Sequence, residues 1–538
     1  MTTFTRIGDG DKPSIFTTAS QPIADIDPFL YGGFAEHMGR CIYGGIYDPK
    51  NINGLVDKNG FRTDVIDAMK ELQVPIVRYP GGNFTATYRW LDGVGPKEQR
   101  PKRVEVAWKG VETNHFGTDE FMKWCDLVGA EPYLALNMGT GTLEEALAWL
   151  EYCNLDTDTH YANLRKQNGH EKPYGVKYWA LGNEVWAPWQ VEQSSKEDYA
   201  KKAYQWGKAL KLLDPNIKLV LCGKDGHSDW DRYVLQECLK ITDLHSIHIY
   251  TFDMEHYPNV TSPKSAERAI EITAALIDLA RTEVDYETFP RFVTKPKTAH
   301  RPKISFDEWN IWNPIRAPGD KGAEEKYDVS DMLAVALWLN VFVRQAKHIG
   351  MATIAQSVNV IAPLMTTEQG IIRQTTYWPL LLFSKYMRGQ SLAVHVRSPT
   401  YTGRTSPEWL ESTMDIPMLD VSAALSDDDY LNLAVVNLSD CESVETSLPL
   451  IEGSVQVFTV GGNKNDIRDT NSWGSTKVVI TESEWCESGR FVFEKHSFTL
   501  LRWKVTPSRP NLDLSLTSLK ASREIAAAVV NSLHARSE

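Results

Sequence analysis

The chain has few cysteines, no cysteine pair at metal-ligand spacing, no long apolar run and no excess of positive charge. Seven cysteines stand among 538 residues, at Cys41, Cys125, Cys153, Cys222, Cys238, Cys441 and Cys486, an odd number with no CxxC pair. A disulfide framework or a zinc cluster needs cysteines in even, closely spaced sets, so reduced thiols in a cytosolic protein are expected. No apolar stretch reaches the ~18 residues that would span a bilayer. The opening MTTFTRIGDGDKPS lacks the apolar segment of a secretory signal, which points to the cytoplasm. Sequons such as that at Asn259 are then expected to go unused. Lys and Arg number 57 against 70 Asp and Glu, a net charge of −13. That sign argues against nucleic acid or an anionic membrane as partner, because both carry like charge. Hydrophobic residues at 42 % and charged residues at 24 % are ordinary for a folded globular chain. The length suffices for a large core.

Tryptophan is abundant, at 17 residues. Their structural reading is core packing and their functional reading a surface that stacks on flat apolar faces, sugar rings included, and composition alone does not choose between the two. Strand-like and helix-like segments alternate over residues 23–387. The strand candidates are FLYGGF, VPIVRYP, EPYLALN, VKYWALG, IKLVLCG, LHSIHIY, KISFDEW and ATIAQSV, eight in all. Between them, Phe121, Trp124, Cys125 and Val128 recur at helical spacing and predict a helix from Thr118 to Val128. Another is expected to open at Ser195, with Asp198 completing a capping box and Tyr199, Ala203, Trp206, Leu210 and Leu213 as its apolar stripe. Eight such repeats make an α/β chain of the (β/α)8 barrel type, and a doubly wound open sheet fits the same alternation. Over residues 388–506 the period changes to two, as in Leu431, Leu433 and Val435, in Val455, Val457 and Thr459, and in the run from Phe498 to Val505. Turn residues separate these runs, and the reading is an all-β sandwich, jelly-roll-like. Residues 1–22, with SIFTTAS, are expected to add an edge strand to that sandwich. Residues 507–538 end in SREIAAAVVNSL, a short helical pattern with no functional reading.

In a barrel the reacting groups come from the C-terminal ends of the strands and the loops beyond them. Those ends are polar here: Glu36 and His37, Arg78 to Asn83, Asn137, Asn183 and Glu184, His248 and Tyr250, Asp307 to Asn310, and Gln356 with Asn359. Singly, each fits a satisfied polar residue. Together, converging on one face, they would leave costly unpaired groups without a ligand. Glu184 and Glu308 lie 124 residues apart, on strands four and seven. Three steps around an eight-strand ring set them across the mouth from each other. Two opposed carboxylates, one protonated and one ionised, are what glycoside hydrolysis requires. A structural ion pair with Arg78 is the alternative use of either one. The loops that follow hold Tyr88, Trp90, Trp108, His115, Trp186, Trp189, Trp309 and Trp312, aromatics suited to stacking on sugars.

At these residues the chain resembles the α-L-arabinofuranosidases of glycoside hydrolase family 51. The resemblance rests on YGGFAEHMGRCIYGGIYDP, RYPGGNF, WLDGVGP, FGTDEF, LGNEVWAPWQ, HIY, DEWNIW and QSVNVIAP, and runs from about residue 25 to 505. It implies a barrel followed by a β-sandwich and a retaining hydrolase with no metal and no organic cofactor. The substrate it implies is a terminal arabinofuranosyl residue of arabinan, arabinoxylan or a derived oligosaccharide. By motif, Glu184 resembles the acid/base, Glu308 the nucleophile, and Asn183 the residue that holds the sugar 2-hydroxyl. Glu36, Asn83 and Gln356 resemble the polar lining of the arabinose subsite. Tyr250 resembles the contact of the nucleophile, with His248 beside it, and Trp108 and Trp312 resemble aromatic walls. Many bacterial members carry Asp-Gly where this chain has Trp186 and Ala187, a difference on the leaving-group side. The resemblance also implies a homo-oligomer, often a hexamer. For the mechanism, burial and the facing charge of Glu308 are expected to keep Glu184 neutral. Three rival readings stand beside this one. The first is another retaining glycosidase, such as a β-xylosidase or endoglucanase. The second is a metal-dependent sugar isomerase built on Glu36, His37, His248 and Glu308. The third is a sugar-binding protein without catalysis.

Overall fold

The computed structural model describes residues 2–505, apart from residues 9, 289–299, 450, 452, 487 and 488. The helical pattern of the C-terminal tail lies outside the described residues. Eight parallel strands follow one another around a ring: Gly33–Phe34, Ile76–Tyr79, Glu131–Ala135, Tyr178–Leu181, Lys218–Leu221, Leu244–Thr251, Lys303–Ile311 and Ile349–Ile354. Each pairs with the next in sequence order. The ring closes at Gly32, whose amide donates to the Ala352 carbonyl at 2.9 Å and whose carbonyl accepts from Ile354 at 3.1 Å. That closure separates a barrel from an open doubly wound sheet, and no local pattern could show it.

The strands are apolar runs because helices cover them outside and side chains fill the ring inside. The first is shorter than its sequence run. Pro28–Tyr31 forms a 3-10 turn capped by Asp27, leaving Gly33–Phe34 as strand. The helix Thr118–Val128 buries Phe121, Trp124, Cys125 and Val128, as its spacing predicts. The helix Lys196–Leu213 starts at Ser195, whose Oγ accepts from the Asp198 amide at 3.1 Å. The return arm runs from the Ser195 hydroxyl to Asp198 Oδ2 at 2.9 Å rather than from the backbone amide.

Beyond the barrel, the strands Gln390–Ser398, Leu419–Leu425, Tyr430–Asn437, Val455–Gly461 and Ser497–Lys504 belong to a ten-stranded, mostly antiparallel sheet. Leu392, Val394, Val421, Leu433, Val457, Phe493 and Leu501 share one core, so the sheet folds over itself as a sandwich. The strand Ser14–Asp25 pairs antiparallel with Gln390–Ser398 and touches Val444–Ser447 on its other side. It is therefore an inner strand, while Thr3–Arg6, paired parallel to Gln390–Ser398 alone, is the one-sided strand that this segment was expected to add. Both neighbours of the inner strand come from segments distant in sequence, which is why the run SIFTTAS could not reveal them.

The alternation along Tyr430–Asn437 also hides a second buried face. Asn432, Ala434 and Val436 are as buried as Leu433 and Val435. The barrel helix Val329–Arg344, buried along its whole length, packs against that face. Its polar residues close the seam: Asn340 Nδ2 donates to Asp420 Oδ1 at 2.9 Å, and Arg344 bridges Asp420 at 2.7 Å and Glu267 at 2.8 Å. Lys264 adds a third link to Glu267 at 2.6 Å. Removing one partner from a buried ionic cluster leaves uncompensated charge. Arg344→Ala is accordingly expected to cost about 3–5 kcal/mol, read as a lowered denaturation midpoint with the catalytic parameters of the surviving folded protein unchanged.

Asn259, the sequon residue, is buried and donates to Asp331 at 2.9 Å. No described helix is long and apolar enough to cross a membrane. None of the seven cysteines is paired, and five of them are buried.

Candidate active site

The polar ends of strands one, two, four, six, seven and eight meet at one mouth of the barrel. The end of strand two organises the centre. Arg78, 1 % exposed, lies 4.8 Å over the Phe34 ring. Its Nη1 donates to Glu308 Oε1 at 2.6 Å and its Nη2 to Asn183 Oδ1 at 2.6 Å. Its Nε lies 3.6 Å from Asp307 Oδ2. One planar fork thus fixes groups from strands four and seven together, a geometry that Lys cannot reproduce. The other oxygen of Glu308, Oε2, accepts from the Tyr250 hydroxyl at 2.8 Å. The ion pair considered as an alternative use of Glu308 therefore exists. It holds the carboxylate at the mouth and leaves the opposed pair intact.

Glu36, from strand one, is buried as well. Its Oε1 accepts from the Phe84 amide and the Trp108 indole, each at 3.0 Å, and its Oε2 accepts from Gln356 at 3.0 Å. Burial, with the charge of Glu308 adding to it, lifts the Glu36 pKa to about 7 despite these donors. Gly81 and Gly82 lie between the acidic groups. A Cβ on Gly81, at φ +152°, would stand 2.4 Å from Glu36 Cγ. One on Gly82 would stand 2.9 Å from Glu308 Oε1 and 3.5 Å from both Asn183 Nδ2 and Glu36 Oε2. That point is where three polar side chains converge. A methyl placed there has to displace Glu308, and a shift of about 1 Å at a reacting group can cost on the order of 10²-fold. Gly82→Ala is expected to lose kcat/KM by about that factor while melting close to the parent, measured by steady-state kinetics and thermal denaturation together.

Three buried polar atoms at this mouth have no protein partner: Asn83 Oδ1, Asn183 Nδ2 and Gln356 Oε1. Buried polar atoms of this kind need a partner, and at an open mouth water or a polar ligand supplies it.

Glu184 follows strand four with a left-handed backbone at φ +41°. Its Oε1 lies 3.0 Å from His248 Nδ1, and its Oε2 accepts from the Trp189 indole at 3.1 Å. His248 Nδ1 is also 3.6 Å from Glu308 Oε2, while its Nε2 lies 3.1 Å from Ser246 Oγ and 3.3 Å from Asp307 Oδ1. Ligand atoms of Glu184, His248 and Glu308 all lie within 4.8 Å of one another. Burial opposes a charge on His248. Glu308, Asp307 and Glu184 outweigh it and raise its pKa to about 10. Burial would likewise raise Glu184, but the hydrogen bond and charge of His248 hold it below the usual carboxyl range. The expectation of a neutral Glu184 rested on burial and the facing charge of Glu308; His248, 3.0 Å from Glu184 and 3.6 Å from Glu308, pulls in the opposite direction. Asp307 is also held low, with Arg78 and His248 overcoming its burial.

The remaining candidates divide. Trp108 sits on Glu36, and Trp312 lies edge-on to Tyr250 at 5.5 Å with its indole on the Ala317 carbonyl. Trp189 is 60 % exposed and edge-on to Trp186 at 5.6 Å. Trp309 is not in a loop: it belongs to the strand Lys303–Ile311 and packs on Trp338 and Phe342 in the core. Tyr88 and Trp90 are core residues too, stacked around Trp149. Asn137 caps its own turn through the Gly141 amide, and Asn359 ties down the chain at Arg40 and Thr366. His37 turns to Glu112 at 2.7 Å and Tyr79 at 2.9 Å, so the four groups considered for a metal do not form one cluster. Arg78 and Asp307 were read from sequence only as polar strand ends, and Trp189 only as one of several loop aromatics, with no individual role for any of them. The first two sat inside the motifs RYPGGNF and DEW, and only their pairing across strands reveals them.

The comparisons agree with this geometry. Residues 68–268 match the model of the alpha-L-arabinofuranosidase 1 domain, and residues 307–497 match that of the alpha-L-arabinofuranosidase C-terminal domain. The second match begins at Asp307 and so includes the end of barrel strand seven with Glu308. The chain is 59 % identical over 516 residues to a probable alpha-L-arabinofuranosidase C of Aspergillus clavatus, covering 94 % of this chain and all of that one. It is 34 % identical over 514 residues to an intracellular exo-alpha-(1->5)-L-arabinofuranosidase 1 of Bacillus subtilis, covering 92 % and 98 %. The structure of a thermostable GH51 alpha-L-arabinofuranosidase from Thermotoga petrophila superposes with a TM-score of 0.83 at 34 % identity, over 92 % of this chain and all of that one. An opposed carboxylate pair at the mouth of a closed barrel, family models spanning most of the chain and relatives alike over nearly their full length lead to one statement: the chain belongs to the α-L-arabinofuranosidases of glycoside hydrolase family 51 and is a glycoside hydrolase.

Proposed function

We propose that the enzyme is retaining and exo-acting, and removes terminal non-reducing α-L-arabinofuranosyl residues by double displacement. The observation that carries this is the approach of Glu184 and Glu308, whose oxygens come within 4.8 Å. Inverting enzymes hold their carboxyl groups about 6.5–9.5 Å apart to admit a water, whereas retaining ones hold them about 5–5.5 Å apart. In this reading Glu308 attacks the anomeric carbon as the Glu184 carboxyl protonates the leaving oxygen. Glu184 then takes a proton from water, which opens the arabinosyl ester with overall retention. Asn183, oriented by Arg78, takes the sugar 2-hydroxyl. Glu36, Asn83 and Gln356 line the subsite, and the unpartnered oxygens of Asn83 and Gln356 accept from the hydroxyls of a pentose. Tyr250 holds Glu308 in line, and Trp108 and Trp312 form its walls.

The substrates are arabinose-containing oligosaccharides derived from arabinan or arabinoxylan. A cytoplasmic location, supported by the Bacillus subtilis relative named intracellular, favours short ones. The same reading takes the chain as a homo-oligomer. The deciding experiment compares initial rates on p-nitrophenyl α-L-arabinofuranoside and p-nitrophenyl β-D-xylopyranoside, with Glu308→Ala as control. Release from the arabinoside alone, lost in the variant, is the expected outcome. A preference for the xyloside would return the chain to the β-xylosidase reading.

A further inference from the structure

We propose that His248, oriented by Asp307, is a positioning residue that stores the proton Glu184 delivers, and does not bind sugar. The inference rests on the reading of Glu184 as the acid/base. Both ring nitrogens are engaged inside the protein. Nδ1 faces Glu184 at 3.0 Å and Glu308 at 3.6 Å, and Nε2 faces Ser246 at 3.1 Å and Asp307 at 3.3 Å. Neither nitrogen is left for a substrate hydroxyl. Asp307 is itself immobilised, by the Tyr133 hydroxyl at 2.7 Å, the Ser246 hydroxyl at 2.5 Å and the Arg78 guanidinium at 3.6 Å. His248 is therefore held as a fixed donor, and its free choice is how far the Nδ1 proton lies toward Glu184.

The charged and titratable groups around it come from several strands: Arg78 from strand two, Tyr133 from strand three, Glu184 from strand four, Tyr250 from its own strand, and Asp307 and Glu308 from strand seven. The charges of Glu308, Asp307 and Glu184 hold the proton on the ring. Attack by Glu308 converts its carboxylate to an ester and removes one of those charges. The grip on the Nδ1 proton weakens at the moment the leaving oxygen gains charge.

The steps balance. The proton passes from Nδ1 to the Glu184 carboxylate, leaving a neutral imidazole with Nε2–H on Asp307. Glu184 gives that proton to the glycosidic oxygen as the C–O bond breaks and the bond from Glu308 to the anomeric carbon forms. In the second half, water loses a proton to Glu184 as its oxygen displaces Glu308. The proton then returns to Nδ1, and the enzyme is restored.

The test is the pH profile of kcat/KM in the full-length enzyme, with aryl arabinofuranosides of good and poor leaving groups. In His248→Gln the alkaline limb is expected to move down by about one pH unit or more, because Glu184 then has to keep its own proton beside Glu308. The loss should grow as the leaving group worsens. Asp307→Asn should shift the limb in the same direction. Thermal melting shows whether each variant is folded. If either is not, Ser246→Ala, which removes one hydroxyl from the same contact, carries the test, and an unmoved limb there overturns the proposal. An unmoved limb in a folded His248→Gln, or an equal loss at every pH and with every leaving group, overturns it as well. Glu184→Ala is run beside them. If its loss does not depend on the leaving group, the acid assignment itself fails. If that dependence holds while His248→Gln leaves the profile in place, only the role of His248 is refuted.

Discussion

Glu308→Ala is expected to lower turnover by at least about 10⁴-fold on every arabinofuranoside, whatever the leaving group, because the proposed double displacement needs its carboxylate to form the covalent intermediate. The reason is geometric. Glu308 Oε1 is fixed by Arg78 and Oε2 by Tyr250, so one carboxylate is held at the mouth from two sides. Among the described residues the neighbouring carboxylates are committed elsewhere: Glu36 to Phe84, Trp108 and Gln356, Asp307 to Tyr133 and Ser246, and Glu184 to His248 and Trp189. Because the substitution leaves Arg78 short of a partner, the folded state has to be verified by melting, and Glu308→Gln serves as the isosteric companion. Azide supplies the decisive reading. A small anion can enter the space the side chain left and attack in its place. Turnover should then return, with a glycosyl azide of inverted anomeric configuration as product. Residual activity above about 1 % of the parent without azide, or an azide product of retained configuration, would show that Glu308 is not the nucleophile.

The second large effect is expected from Glu184→Ala, and it is selective. Protonation of the leaving oxygen contributes about 10²–10⁴-fold when the leaving group is poor and little when it departs readily as an anion. The variant should therefore lose about that factor on arabino-oligosaccharides and retain most of its first step on a dinitrophenyl arabinofuranoside. The second step needs the same residue as a base, so the intermediate should accumulate and appear as a burst of aryl leaving group. Azide should relieve that block and give a product of retained configuration, the opposite of the result with Glu308→Ala. The two stereochemical outcomes together assign both carboxylates. A loss equal across all leaving groups would remove Glu184 from the acid role.

A large part of this protein can be read along the chain, and the places where the reading fails share a physical cause. Eight apolar runs with intervening helical periodicity were legible because both signals are local. The helix Thr118–Val128 follows from four apolar residues at one spacing. The aromatic loop residues were less legible. Trp309 and Trp312 are three residues apart, yet one packs against Trp338 in the core and the other lies beside Tyr250. What separates them is where the strand Lys303–Ile311 ends, a boundary set by pairing with strands six and eight. The face of Tyr430–Asn437 that carries Asn432 and Ala434 is buried because the barrel helix Val329–Arg344 covers it, a contact that the period-two alternation does not reveal.

Local chemistry along the chain was sufficient for the class of fold, for the identity of two glutamates at strand ends and for the polar groups gathered around them. The residue types and their positions relative to strand ends are properties of neighbouring residues, and the strand period carries them. Tertiary structure alone decided three other things. Closure at Gly32 made the ring a barrel and brought strand eight beside strand one. Arg78 became the brace of the site by reaching Asn183 and Glu308 at once. His248 came to stand 3.0 Å from Glu184 and 3.6 Å from Glu308, and the charge a buried group carries follows from what stands within a few ångströms of it. Here those neighbours arrive from strands four, six and seven, which meet only once the barrel has closed.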